Sequence, residues 1–227
     1  MNSDIKNVKE LVFNKNNDIV IFAKELELLI PNIKENGWHI KNVVLPTNKY
    51  YIEQKNEKMT NKFIVTDKLN DIIKIVANIM NDNGFINNFD NIDYENANVE
   101  FHYANSYYYI YPMFAPHKDN DNGINVNTFI CYFDVDCDEG EFAIYDENEY
   151  SIYNENEKTI LSKINVKSSN ENIKALIFSG NIVHNGLRFK NGHRYALSFQ
   201  IPIYKGEDLK PRTCGVVCFK SLQIDHT

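Results

Sequence analysis

From Asn98 the hydrophobic period of the chain becomes two and stays so almost to Pro202, which commits this half to β structure. Val99, Phe101 and Tyr103 alternate with polar or small residues, and Ser106–Pro116 continues the pattern. Ile124–Asp136 is the next strong strand, ended by the acidic turn Cys137–Gly140. Glu141–Asp146 and Tyr150–Asn154 read as short strands around a polar turn, and Asn156–Ser169 as a polar interval. Ile173–Gly180 then leads to His184, and His193–Tyr204 closes the series. Gly180, Gly186 and Gly192 supply turn points. About seven or eight short strands at this spacing suit a jelly roll.

Three polar residues interrupt this pattern in a way that packing does not require. His117 and Asp119 are two apart, so on an extended segment both side chains leave one face. His184 follows 65 positions later, on or at the end of another strand. Two imidazoles and a carboxylate projecting from β structure can cap one face of an octahedral metal and leave the opposite face open to ligands, the arrangement expected of non-haem Fe(II) oxygen chemistry.

The ordered set His117, Asp119, the segment Thr128–Asp146, His184 and Arg194 resembles the Fe(II)/2-oxoglutarate-dependent dioxygenases, in their prolyl-4-hydroxylase-like branch. The resemblance covers roughly Asn105 to Pro202, less than half of the chain. It implies a mainly β fold with flanking helices, a double-stranded β-helix (jelly roll). It also implies an iron triad of His117, Asp119 and His184, with catalysis at those residues. Arg194, ten positions after His184, takes the place of the basic residue that binds the distal carboxylate of 2-oxoglutarate. A guanidinium fork matches a carboxylate geometrically.

Period two puts Ala196 and Ser198 on the Arg194 face, so Ser198 can add a hydroxyl to the cosubstrate site while Ala196 leaves room. Tyr109 or Tyr111 can offer a phenolic hydrogen bond, and Thr128 on the next long strand can line the same pocket, although one bulge would exchange the faces. The implied cofactors are Fe(II) and 2-oxoglutarate, with O2 as cosubstrate and ascorbate in support. The implied activity is hydroxylation of a peptidyl side chain, proline by the branch, with release of succinate and CO2. The alternatives are a small-molecule hydroxylase of the same family and a non-catalytic jelly-roll protein that binds metal or ligand. Where nucleic-acid demethylases of this family carry an Asn and a second Arg on the closing strand, this chain has Ala196 and Gln200, which disfavours base repair. Where many relatives have a Gly pair before the acid that opens a short strand, this chain has Glu139-Gly140-Glu141.

Composition narrows the partners. At 227 residues and 43% hydrophobic, the chain can bury a sizeable core, and a formal charge of -7 with pI near 5.4 gives no basic footprint for nucleic acid. A protein or peptide is the expected substrate, and the acidic balance would suit a neutral or basic one. Four cysteines without framework spacing fit a reducing compartment. No signal-peptide core or long apolar run is visible, so a soluble cytoplasmic protein with no membrane partner is expected. Cys214, Cys218 and His226 lack zinc-site spacing, and a plain strand, Gly215–Phe219, is expected there. His39, His102 and His193 have no companion ligand at useful spacing and read as core-edge or surface groups.

Residues 1–97 read as an N-terminal elaboration, 98–204 as the oxygenase core and 205–227 as a C-terminal extension. After a polar lead, a helix is expected with Ile21, Leu26, Leu29 and Ile30 on its apolar face, closed by Pro31 and Gly37. A short extended stretch, His39–Pro46, follows. Lys49–Phe63 reads as a polar loop able to act as a mobile cover. A second helix after Thr66 or Asp67 carries the stripe Leu69, Ile72, Ile73, Val76 and Met80 and stops at Gly84. Both helices are expected to brace the major sheet.

Overall fold

The structure is a computed structural model that describes residues 8–29, 40–46, 51–55, 60–64, 68–94, 97–105, 116–120, 125–146, 160–187 and 189–203. Its elements in chain order are β1 (Val8–Asn14), α1 (Asp18–Leu29), β2 (Ile40–Pro46), β3 (Tyr51–Lys55), β4 (Thr60–Ile64), α2 (Lys68–Asp82), β5 (Asn98–Asn105), β6 (Asn125–Glu139), β7 (Phe142–Tyr145), β8 (Ile160–Ile164), β9 (Asn172–Ser179), β10 (His184–Gly186) and β11 (Phe189–Ile203). The strands form an eight-stranded sheet of order β1-β9-β6-β11-β5-β2-β3-β4 and a three-stranded sheet of order β10-β7-β8. All their pairings are antiparallel.

From β5 onward the chain crosses repeatedly between the sheets: β5 and β6 in the large one, β7 and β8 in the small one, β9 back, β10 across and β11 back again. An isolated antiparallel bridge between His117 and His184 adds the segment before β6 to the small sheet beside β10. This alternation is that of a double-stranded β-helix, or jelly roll, with two helices on its flank. The expected fold class is therefore the observed one.

Alternation along β6 and β11 assigns the two faces of the large sheet. Phe129, Cys131, Phe133, Leu197, Phe199 and Ile201 point outward, where they bury against Phe22, Leu26, Ile73, Val76 and Met80 of α1 and α2. Tyr132, Val135, Cys137 and Ala196 point inward and meet Phe142, Ile144, Leu176 and Phe178 between the sheets. Each large apolar side chain removed from water contributes about 1.5–3 kcal/mol, so the helix layer anchors the large sheet.

Both strands carry irregularities. On β6, Cys131 and Asp134 face Leu197 and Tyr195, so three steps of β6 match two of β11 and turn Val135 and Cys137 inward. On β11 the register slips between Lys190 and Gly192, with Asn191 at φ 53 and Gly192 at φ 73. A Cβ on Gly192 would lie 1.7 Å from the Asp136 carbonyl oxygen. Only glycine accepts both the backbone angle and the approach.

Several local expectations need correction. The polar lead before α1 contains β1, which pairs with β9 along its whole length. The segment expected as a polar cover contains β3 and β4, a hairpin hydrogen-bonded to β2. The polar interval after residue 156 contains β8, and Gly186 lies inside β10 rather than at a turn. On α1 the buried residues are Ile19, Val20, Phe22, Ala23 and Leu26, while Ile21 is 43% exposed. Positions 19, 22, 23 and 26 share one helical face and position 21 does not. Asn17 caps this helix by accepting from the Ile19 amide at 3.0 Å. The α2 stripe is buried as expected, and Gly84 ends the helix at φ 79. Thr66, Asp67, the Tyr150–Asn154 strand, His39, Leu29's side chain and the tail with Cys214, Cys218 and His226 lie outside the described residues. No described helix is long and apolar enough to cross a membrane.

Candidate metal centre and carboxylate pocket

The two histidines of the triad are backbone partners. The His117 amide donates to the His184 carbonyl at 3.0 Å and the His184 amide donates to the His117 carbonyl at 2.9 Å, a doubly bonded antiparallel bridge that places both rings on one side. Asp119 is held by the turn that follows. The Asn120 amide donates to the Gly180 carbonyl at 3.0 Å, and its side-chain oxygen accepts from the Val126 amide at 2.7 Å. This ties the turn to the start of β6 and the end of β9. One potential ligand atom from each of His117, Asp119 and His184 then lies within 4.8 Å of the others. His117 Nε2 and His184 Nε2 lie 3.5 and 3.8 Å from Asp119 Oδ1. The Asp119 and His184 side chains are 4% and 8% exposed and that of His117 is 31% exposed, so the cluster opens to solvent on the His117 side.

The protonation states suit a metal. His184 Nδ1 lies 3.0 Å from the Ile182 carbonyl and donates to it, leaving the Nε2 lone pair directed at the cluster. Burial lowers the His184 pKa to about 4, so the ring is neutral at pH 7. Burial alone would raise the Asp119 carboxyl, but His184, His117 and the Thr128 hydroxyl outweigh it and bring it to about 2. Thr128 Oγ1 donates to Asp119 Oδ2 at 2.5 Å, which leaves Oδ1 for the cluster. Thr128 was expected in the cosubstrate wall; the structure brings it to the carboxylate of the triad.

The opposite end of the inter-sheet space holds Arg194, 4% exposed. Its Nη1 donates to the Gly140 carbonyl at 2.6 Å and the Leu187 carbonyl at 3.0 Å, and its Cζ stands 5.2 Å from the centroid of the Phe189 ring. A Cβ on Gly186 would lie 2.5 Å from Nη2, so the glycine two residues beyond His184 makes room for the guanidinium. Gly140, the glycine retained in the Glu139-Gly140-Glu141 turn, supplies one of the carbonyls. Arg194 pairs with Val135 on β6, whereas Ser198 pairs with Ile130, two residues from Thr128. Arg194 and Ser198 are thus about 13 Å apart along the strand, Ser198 nearer the triad.

Two residues absent from the sequence-based list join the site. Tyr132 is buried on the inner face, its phenol pushed up to about 12 by burial against the opposing pull of Arg194. His102, expected at a core edge, stands opposite Ala196 with Nε2 3.1 Å from Ser198 Oγ. Burial lowers its pKa against the opposing pull of Glu100, and its register opposite Ala196 sets it between Arg194 and Ser198 along β11. The period-two pattern of β5 could have put His102 inward together with Glu100 and Asn98, but only the pairing with β11 shows what they face. Tyr109 and Tyr111 lie outside the described residues. His193 is outward, 3.1 Å from Asp134 and far from this chemistry in face.

No protein-family model and no curated protein matches the sequence. Among solved structures, the chain is similar to IDO from Bacillus thuringiensis, with 13% identity over 87% of this chain and 91% of that one, TM-score 0.42. It is similar to a Pseudomonas putida prolyl-4-hydroxylase, with 9% identity over 89% and 96% and TM-score 0.43. It is also similar to the viral collagen prolyl hydroxylase vCPH of Paramecium Bursaria Chlorella virus-1, solved as a 2OG complex, with 13% identity over 86% and 96% and TM-score 0.42. Likenesses this coarse leave the strand order and the side chains of the chain itself to carry the fold and the chemistry.

Proposed function

We propose that the protein is an Fe(II)- and 2-oxoglutarate-dependent dioxygenase that hydroxylates a peptidyl side chain, proline being the first candidate. The observation that carries this reading is the convergence of His117, Asp119 and His184 with a neutral imidazole and an ionised carboxylate, at the open end of a space whose other end holds a buried guanidinium. Two nitrogens and one oxygen are a donor set suited to Fe(II), and three protein ligands leave positions for others. Iron bound there would supply the oxygen activation, with 2-oxoglutarate converted to succinate and CO2 as one oxygen atom enters the substrate.

The remaining roles belong to the chain. Thr128 holds Asp119 in one rotamer, and the Ile182 carbonyl fixes the ring of His184. Arg194, oriented by the Gly140 and Leu187 carbonyls, would receive the distal carboxylate, with the Tyr132 hydroxyl as a second donor. The apolar side chains Phe142, Phe178 and Leu176 exclude water from the space between.

Purified protein given Fe(II), 2-oxoglutarate, O2 and ascorbate is expected to form succinate, and proline-containing peptides are expected to raise the rate and gain one oxygen atom by mass spectrometry. His117→Ala, Asp119→Ala and His184→Ala should each abolish turnover while the protein stays folded. Undiminished succinate formation in all three variants would remove the assignment. Stimulation by small amines or free amino acids but by no peptide would move the substrate to the small-molecule class.

A further inference from the structure

The inner face of β5 and β11 carries a connected row of polar side chains, half-buried except for Ser198, which is buried. The amide nitrogen of Asn98 donates to Glu100 Oε1 at 3.1 Å and to Gln200 Oε1 at 3.0 Å. The other carboxylate oxygen of Glu100 lies 3.5 Å from His102 Nε2, and the same nitrogen lies 3.1 Å from Ser198 Oγ. Gln200 pairs in register with Thr128, the residue that grips Asp119, so the row begins beside the triad. Ser198 is 3% exposed and the His102 side chain 16%. The buried member, Ser198, is costly to hold there unless its hydrogen bonds are made. The row links β5 to β11 and leads to that hydroxyl.

The row has a direction. A carboxylate only accepts hydrogen bonds, so a lone pair on His102 Nε2 facing Glu100 would be repelled, and the neutral ring carries its proton on Nε2. Nε2–H then donates to Ser198 Oγ. A hydroxyl that accepts from an imidazole has its own proton left to give. With Asn98 fixing Glu100 from behind, that proton is turned into the inter-sheet space at the end nearer the triad.

We propose that Glu100 and His102 are positioning residues that hold the Ser198 hydroxyl as a fixed hydrogen-bond donor to the α-keto-carboxylate end of the cosubstrate, the counterpart of Arg194 at the distal end. This rests on the dioxygenase reading above. It gives a role to His102 and separates Ser198 from the distal carboxylate. The residues act by binding and orientation, and no bond is made or broken through them.

The test is binding of 2-oxoglutarate to the full chain loaded with Mn(II) under anaerobic conditions, measured by calorimetry. Ser198→Ala is expected to weaken binding about tenfold, the scale of one hydrogen bond to an anion. His102→Phe should do the same, and His102→Phe with Ser198→Ala should be no weaker than Ser198→Ala alone. Glu100→Gln is the sharpest variant. The amide keeps the shape and its oxygen stays toward Asn98, but its NH2 now faces Nε2, which moves the imidazole proton to Nδ1 and draws the Ser198 proton toward the ring. It too should bind about tenfold more weakly, with Mn(II) affinity and melting temperature unchanged, whereas a merely structural residue would change the melting temperature first. Ser198→Thr should restore the affinity.

Binding within twofold of wild type in Glu100→Gln and Ser198→Ala, both folded, would overturn the proposal and leave the dioxygenase reading standing. Absence of 2-oxoglutarate binding in the metal-loaded wild type would overturn both. Should His102→Phe fail to fold, Glu100→Gln decides.

Discussion

At the scale of single residues the candidate site is made of groups whose state is set by their immediate neighbours. His184 is the clearest, because the Ile182 carbonyl fixes its tautomer and burial keeps it neutral. Its folded pKa, about 4, lies below the ordinary value of 6.5. Below pH 6.5 the unfolded chain therefore binds a proton that the folded site refuses, and stability falls as pH drops from about 6.5 toward 4. Asp119 has its pKa depressed and contributes in the next window down, its stabilisation being lost only as pH falls below about 4 toward 2. Metal-free protein should lose about 2 kcal/mol between pH 7 and pH 5, read by denaturant titration, and His184→Gln should flatten that loss. An equal slope in the variant would place the titrating group elsewhere. Gly186 makes a second case: Gly186→Ala would push its Cβ into the Arg194 guanidinium. It should weaken 2-oxoglutarate binding about tenfold, by calorimetry, with metal affinity retained.

The residues legible in sequence were those whose spacing states their geometry. His117 and Asp119 must share a face if extended, whereas the interval from His184 to Arg194 carried meaning only through the family resemblance. Tyr132 was not legible because it is one of 14 tyrosines, and its inward direction depends on counting from the correct side of a bulge. His102 was not legible because its partner Ser198 is 96 positions away.

At the scale of elements, β6 and β11 carry Thr128, Tyr132, Arg194 and Ser198, and their irregularities aim these side chains. The slip between Lys190 and Gly192 sets the parity of Arg194, Ala196 and Ser198. Gly192→Ala is expected to cost at least about 2 kcal/mol through the approach to the Asp136 carbonyl and the positive φ, seen as a lower urea midpoint. It should weaken cosubstrate binding more than metal binding, because the triad sits on other segments. An unchanged midpoint would show that the strand has another register open to it. The interior strands β6, β9 and β11 were readable because their outward face is buried and apolar. β1, β3, β4 and β8 were not, for the same physical reason in reverse: they lie at or near the sheet edges, and polar sequence is what edge strands carry to avoid further pairing. For α1 the apolar residues were visible but the face was misjudged, since a helix with hydrophobic residues at 19, 20, 21, 22 and 23 has no unambiguous stripe until something packs on it.

At the scale of the molecule, the helix layer and the large sheet share a single apolar core, while the candidate site adjoins the separate cluster between the sheets. Ligands that fill this space should therefore stabilise the fold without reorganising the core. Saturating Mn(II) with 2-oxoglutarate, at about a hundredfold over the dissociation constant, should add roughly 3 kcal/mol and raise the melting temperature by several degrees, and a chelator should return it to the starting value. No shift on addition of both would argue against binding in this space.

That space is lined unevenly. Phe142 and Ile144 of the small sheet and Leu176 and Phe178 on β9 of the large one give it a hydrocarbon part. Farther along the large sheet, Thr128, Gln200, Asn98, Glu100, His102 and Ser198 give it a part rich in oxygen and nitrogen. The proposed cosubstrate, a slender acid with a carboxylate at each end, would not roll freely about its long axis in such surroundings. Its oxygens would be drawn to the polar part and its methylenes to the hydrocarbon. The lining would then act as a keyway, fixing which edge of the guest faces the metal cluster before any catalytic group takes part.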